Sequence, residues 1–229
     1  MTTAMGFWHL CLIRRLVISA RYKYDMTTHY VNSNEAPPVL NQQYFELLLL
    51  LKTLLDDSIS LLKLTIDMGE QVLRRSYIRS SLAGVEGAVW VLKQMASISK
   101  EAEPPYTGEE QALLCDIAYI LKDNGIIKED AAKISLKTNI KFTFRMLSRL
   151  RSCGFELDLG GNGWPKLQAA IKLRDRITHP KTLDNLDISE NELVESSEGI
   201  RWFFDNIMRF IDYRKKAAGS DSLAENEVT

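Results

Sequence analysis

From Asn41 onward, apolar positions recur at helical spacing, and polar breaks divide that rhythm into segments. The first segment, about 41–68, contains the run Leu47 to Leu51 and carries leucines on more than one face, the pattern of a helix central to a bundle. Asn41 is its expected N-cap, after the linker Glu35-Ala36-Pro37-Pro38. A second long helix is expected over roughly 70–97, with Ile78, Leu82, Val85, Val89 and Leu92 as a heptad-like stripe. Gly84, Gly87 and Ala88 would let a neighbouring helix come close, and Pro104-Pro105 ends the pattern. Thr107-Gly108-Glu109-Glu110 has the form of a capping box that opens a third helix, with Asn124-Gly125 closing it. A fourth helix is expected from about Glu129 to Arg151, and the glycine-rich stretch Cys153 to Gly163 reads as a mobile loop. Pro165 suits the first turn of a short helix that ends before Pro180. Ser189-Glu190-Asn191-Glu192 is a second capping box, starting a last helix with Ile200, Trp202, Phe203, Ile207, Phe210 and Ile211 as its apolar face. No strand series emerges. The expectation is an all-α bundle of about five to six helices, in one domain over 41–215, with an irregular or peripheral N-terminal extension over 1–40 and a disordered tail over 216–229.

Composition narrows the function classes. A chain of 229 residues with 45% hydrophobic positions can bury a sizeable core, and its net charge of -1 excludes bulk electrostatic coating of nucleic acid. Any nucleic-acid site must be a local patch. Cys11, Cys115 and Cys153 are odd in number and far apart, so neither a disulfide framework nor a zinc site is expected, which fits a cytoplasmic protein. Lys52 and Asp56-Asp57 cut the leucine run far short of the ~20 residues that cross a bilayer, so no membrane partner is expected. Residues 1–33 mix Arg14 and Arg15 into an apolar stretch, which is not the order of a secretory signal and reads as a surface-docked helix or strand. A second Met-Thr-Thr at Met26 leaves an internal translation start open. His9 and His29 read as surface residues, and Leu159-Gly160-Gly161-Asn162-Gly163 lacks the lysine of a phosphate loop.

The chemistry concentrates in Trp164 to Lys181. Lys166, Lys172, Arg174, Arg176 and Lys181 outnumber Asp175 there, and His179 stands at the helix end before Pro180. A guanidinium recognises phosphate and an imidazole moves protons near neutral pH. Five residues turn a helix by about 140°, so Arg174 and His179 would not point the same way. Asp175 and His179 share a face, which would let the carboxylate hold the imidazole in one tautomer, while Arg174 and Thr178 share the neighbouring face. Pro180 can open the last turn and swing the ring toward the arginine. Alternatively, two-fold pairing of motif helices would gather two arginines and two histidines in one cleft.

Arg174-x4-His179 resembles the Arg-x(4 to 6)-His signature of the HEPN superfamily, dimeric helical domains that include metal-independent ribonucleases. Polar Asp175 after the arginine, the His179-Pro180 ending, and Glu86 among small and apolar residues in Arg79 to Ala88 are similar to that family, as is Arg201-Trp202-Phe203-Phe204. The resemblance spans about 41–215. It implies a homodimeric endoribonuclease without cofactor or metal, acting on RNA as a toxin or defence effector, with an antitoxin or regulatory protein as a further partner. Arg174, His179 and Asp175 would be catalytic, the alternative being a structural ion pair of Arg174 with Asp175 and a cation at the helix C-terminus; Lys172, Arg176, Thr178 and Lys181 would contact RNA; Glu86 would orient the motif arginine or simply form a salt bridge to an arginine. The alternatives are a catalytically silent HEPN-like dimerisation or RNA-binding module, and an unrelated helical adaptor. Lys137, Lys141, Arg145 and Arg149 form a basic ridge that reads as a solvated face before an RNA track.

Overall fold

The computed structural model describes residues 39–99, 101–150 and 153–224. Its helices are α1 (Val39–Met68), α2 (Gln71–Ile98), α3 (Gly108–Leu114), α4 (Leu136–Ser148), α5 (Gly163–Thr178) and α6 (Glu190–Ala224), with strands β1 (Ile117–Leu121) and β2 (Ile127–Ala131) and a 3-10 turn at Leu183–Leu186. Helix dominates, as the periodicity predicts. By its packing the chain divides into two units, one of residues up to Ala88 with Asp158–Met208, the other of Val89–Leu157 with Arg209 onward. The readings of residues 1–38, including His9, His29, Met26 and the linker, lie outside the described residues.

In the first unit, Gly69 at φ 70° reverses the chain between α1 and α2. The glycine expectation is met: an added Cβ on Gly87 would lie 2.9 Å from the Leu54 side chain, and one on Gly84 would lie 3.5 Å from the Leu54 carbonyl. Between the two helices Ser58 donates to Ser81 at 2.8 Å, which satisfies two buried hydroxyls. Leu47, Leu48, Leu51 and Leu55 are buried, but Leu49, Leu50 and Leu64 are exposed. Among the described residues α1 is thus buried along one side only, and it begins at Val39, ahead of the expected cap at Asn41. Helices α5 and α6 meet where the rings of Trp164 and Trp202 are 5.7 Å apart. The Ser189 capping box forms: Glu192 N–H donates to Ser189 Oγ at 3.2 Å and Ser189 N–H to Glu192 Oε2 at 2.9 Å.

The second unit corrects two helices. The Thr107 capping box forms, but α3 lasts only seven residues. Ile117 to Leu121 and Ile127 to Ala131 then pair as an antiparallel hairpin. Asp123-Asn124-Gly125 is a turn and not a helix terminus: Gly125 takes φ 76° and Ile126 N–H donates to Asn124 Oδ1 at 3.1 Å. Helix α4 accordingly starts at Leu136, capped by Ser135, instead of near Glu129. The glycine-rich stretch read as a mobile loop is staked by Phe155, which is buried against Phe144, Phe210 and Tyr213 with ring centroids 5.6, 5.8 and 5.7 Å away. The last helix continues to Ala224, past the expected start of a disordered tail. No described helix is long and apolar enough to cross a membrane.

Candidate functional site

The motif sits at the C-terminal end of α5. Leu167, Ala170, Ile171, Leu173 and Ile177 bury one face of that helix, which turns Arg174 and Asp175 outward. Arg174 reaches α2, where Nη1 donates to Glu86 Oε1. Its Nε and Nη2 donate to Asp175 Oδ1 at 3.3 and 3.2 Å. Burial pulls its guanidinium pKa down, but Glu86 and then Asp175 outweigh that pull and leave it raised. The glutamate expected to hold the motif arginine does touch it, although Glu86 is exposed beside the apolar stripe and not part of it.

Asp175 pairs with the arginine and not with the imidazole. Its carboxylate accepts from Arg174, and the bond it shares with His179 is main-chain, His179 N–H to Asp175 carbonyl at 3.0 Å. The short carboxylate side chain takes the adjacent bidentate cation in preference to a ring a full turn away. His179 leaves the helix with φ -122° and ψ 58°, so its N–H still closes the last turn, which Pro180 does not open. The imidazole is exposed and has no side-chain partner among the described residues. Thr178 and Lys181 are exposed beside it, and Lys181 N–H donates to Asn185 Oδ1 at 3.0 Å.

Tertiary pairing also changes the basic island. Arg176 donates through Nη1 to Glu192 Oε1 at 2.7 Å and through Nη2 to the Asp187 carbonyl at 2.7 Å, so this expected RNA contact is committed to the start of α6. Burial raises the Glu192 carboxyl pKa, but Arg176 and Ser189 hold it below the usual range. Lys166 pairs with Glu198. With Glu86, Asp175, Glu192 and Glu198 set against the five basic residues, little net charge remains. Among the described residues, Lys172 and Lys181 carry no ion pair. Lys172 and Arg176 line a groove of about 290 Å³ with Ala169, Leu173, Glu192, Glu195 and Ser196. On the expected basic ridge, Lys141 and Arg145 are exposed, but Arg149 is bound to Glu110 at 2.7 Å and lies 4.9 Å over the Tyr106 ring, so the ridge is not one continuous track.

Sequence reasoning passed over the clamp that positions the motif. Arg79 Nη2 donates to the Ile177 carbonyl, one of the carbonyls that the end of α5 leaves without a helical partner. Arg75 donates to the Leu186 carbonyl at 3.1 Å, and Arg74 to the Ile188 carbonyl at 2.8 Å. Gln71 exchanges two bonds with the Ile188 backbone, at 2.9 and 3.0 Å. The signal was present as three arginines within six positions of one predicted helix, but their targets are main-chain atoms, which leave no mark in a sequence. Among the described residues, no three His, Cys, Asp or Glu side chains gather as a metal site. Compared with protein-family models, curated proteins and solved structures, the chain matches none.

Proposed function

We propose that the chain is a metal-independent endoribonuclease of HEPN type, with its site completed by a second copy. One observation carries the reading. Arg174 is held by Glu86 and Asp175 on the helix whose end presents an exposed imidazole, His179, with no side-chain partner among the described residues. A proton-transfer group must keep a free nitrogen, and a phosphate-binding guanidinium works best when pre-aligned. His179 takes the proton of an RNA 2′-hydroxyl, the 2′-oxygen bonds to phosphorus, and Arg174 neutralises charge on the phosphoryl oxygens. The P–O5′ bond breaks, the second copy's His179 protonates the leaving 5′-oxygen, and the products are a 2′,3′-cyclic phosphate and a 5′-hydroxyl. Each positioned acid or base contributes on the order of 10²- to 10⁴-fold. DNA lacks the nucleophile and is spared.

The runner-up, a catalytically silent RNA-binding or dimerisation module, is favoured by a different observation. Two carboxylates already sit on Arg174 and most of the basic island is paired, so an incoming phosphate must compete for its cations. The test is cleavage of single-stranded RNA in EDTA. Wild-type protein is expected to yield cyclic-phosphate ends and His179→Ala to lose at least a hundredfold in rate. RNA left intact by the wild type, or equal cleavage by the variant, rejects the nuclease reading.

A further inference from the structure

The β1–β2 hairpin leaves most of its apolar side chains in water. Tyr119 is 60% exposed, Leu121 71% and Ile127 66%, with Ile120 at 48% and Ile126 at 60%. Side chains alternate across a strand, and directly paired residues share a face. With Ile117 opposite Ala131, Tyr119 opposite Glu129 and Leu121 opposite Ile127, one face of the hairpin presents Tyr119, Leu121 and Ile127 together. A lone two-stranded hairpin is marginal in water, and among the described residues most of this one is bare, so it calls for further cover.

The backbone indicates where the cover goes. Asp116 carbonyl accepts from Ala132 N–H at 2.8 Å, and Lys122 N–H donates to Ile126 carbonyl at 3.0 Å. The even-numbered residues of β1 therefore face β2, and Ile117, Tyr119 and Leu121 turn their N–H and C=O groups outward, where no described group meets them. Natural edge strands are blunted by charge, proline or a bulge. The other strand is protected in this way, since β2 carries Lys128, Glu129 and Asp130 in succession. By contrast, β1 reads Ile-Ala-Tyr-Ile-Leu, without a charge or a proline.

We infer that β1 is a pairing edge for β1 of a second copy of this chain, antiparallel about a two-fold axis at Tyr119. That register sets Ile117 opposite Leu121, Ala118 opposite Ile120 and Tyr119 opposite itself, all uncharged pairs. It is the one register in which all three outward residues exchange hydrogen bonds with their counterparts. Just beyond the ladder, Lys122 of each copy falls opposite Asp116 of the other, so the signs agree at both ends. Pairing through β2 would instead place Glu129 against Glu129. The result is a four-stranded sheet with the charged strands outside, and the two copies' Ile117, Tyr119 and Leu121 run together along the middle of one face, flanked by Ile127 and Glu129 of each copy. This contact is independent of the proposed nuclease site.

The test is sedimentation velocity on the full chain, comparing wild type, Tyr119→Lys, Tyr119→Glu and an equimolar mixture of the two variants. Residue 119 meets itself at the axis, so either variant alone sets like charges opposite each other and the mixture sets opposite ones. Each variant alone is expected to associate on the order of tenfold more weakly and to show a lower mass than wild type, and the mixture to regain the wild-type mass. A dimer formed through the motif is common to all four samples and leaves these differences intact. A wild-type mass in either single variant overturns the proposal. So does a mixture that stays at the lower mass, which would assign the cover to residues 1–38 or to a different protein.

Discussion

Gly199 is a position where a single methyl group should disturb the helix that carries the motif. On α6, a Cβ added there would stand 2.5 Å from the Lys166 carbonyl carbon and 2.7 Å from Leu167 Cα, both backbone atoms of α5 that no rotamer change can move. Ordinary contact begins near 3.4 Å, so the helices would have to part by roughly 0.9 Å. A gap of that order forfeits a quarter to a half of each contact's attraction, here between two helices on which Leu167, Ala170, Ile200 and Phe203 are buried. Overpacking of this kind costs about 1–3 kcal/mol, against about 1 kcal/mol gained because alanine is the better helix former. The net expectation for Gly199→Ala is a loss of about 1 kcal/mol. Urea unfolding followed by tryptophan fluorescence reads it directly, because the tilted rings of Trp164 and Trp202 meet at that same contact. Gly108→Ala is the control, since a Cβ there meets nothing within 4 Å. A Gly199→Ala midpoint equal to or above wild type would refute the close-crossing argument, because helix propensity alone predicts that sign.

Three further outcomes follow from named contacts. Asp116→Asn keeps a residue that tolerates the left-handed φ of 58° but strips the charge from the partner of Lys93, a side chain buried completely; stability measured by urea titration should fall by about 3 kcal/mol, and an unchanged midpoint would contradict the pairing. Glu86→Gln should change stability by less than about 1 kcal/mol, because Glu86 is half exposed, while slowing RNA cleavage on the order of tenfold by loosening Arg174. A gain in RNA affinity without cleavage would support the binding module instead. Burial pushes the Asp205 carboxyl up to about 6, against the pull of Arg201 3.6 Å away. Between the ordinary value of 3.8 and about 6, the folded chain keeps a proton that the unfolded chain has lost, so stability falls as pH rises through that window. Discounted for a side chain 37% exposed, the fall is about 1 kcal/mol, and Asp205→Asn should flatten it; parallel curves for the two proteins would show that Asp205 contributes nothing there.

The sequence alone determined the long helices, the end of α5 at His179-Pro180 and both capping boxes, because each depends on spacing within a few residues. The stripe Ile78, Leu82, Val85, Val89 and Leu92 is buried as its period requires. The hairpin was legible too, in Asp123-Asn124-Gly125 between β-branched and aromatic residues, but the capping box before it biased the reading toward helix. Tertiary structure decided what each charge does. Whether Arg176 faces RNA or Glu192, and whether Arg174 is held by Glu86, depends on which helix lies opposite. A charge run in sequence counts the cations, whereas the fold also brings Glu86, Glu192 and Glu198 from distant segments to meet them. Periodicity specifies which face of a helix is buried, but electrostatic partners are chosen by distance in space, and that distance exists only once the helices have packed.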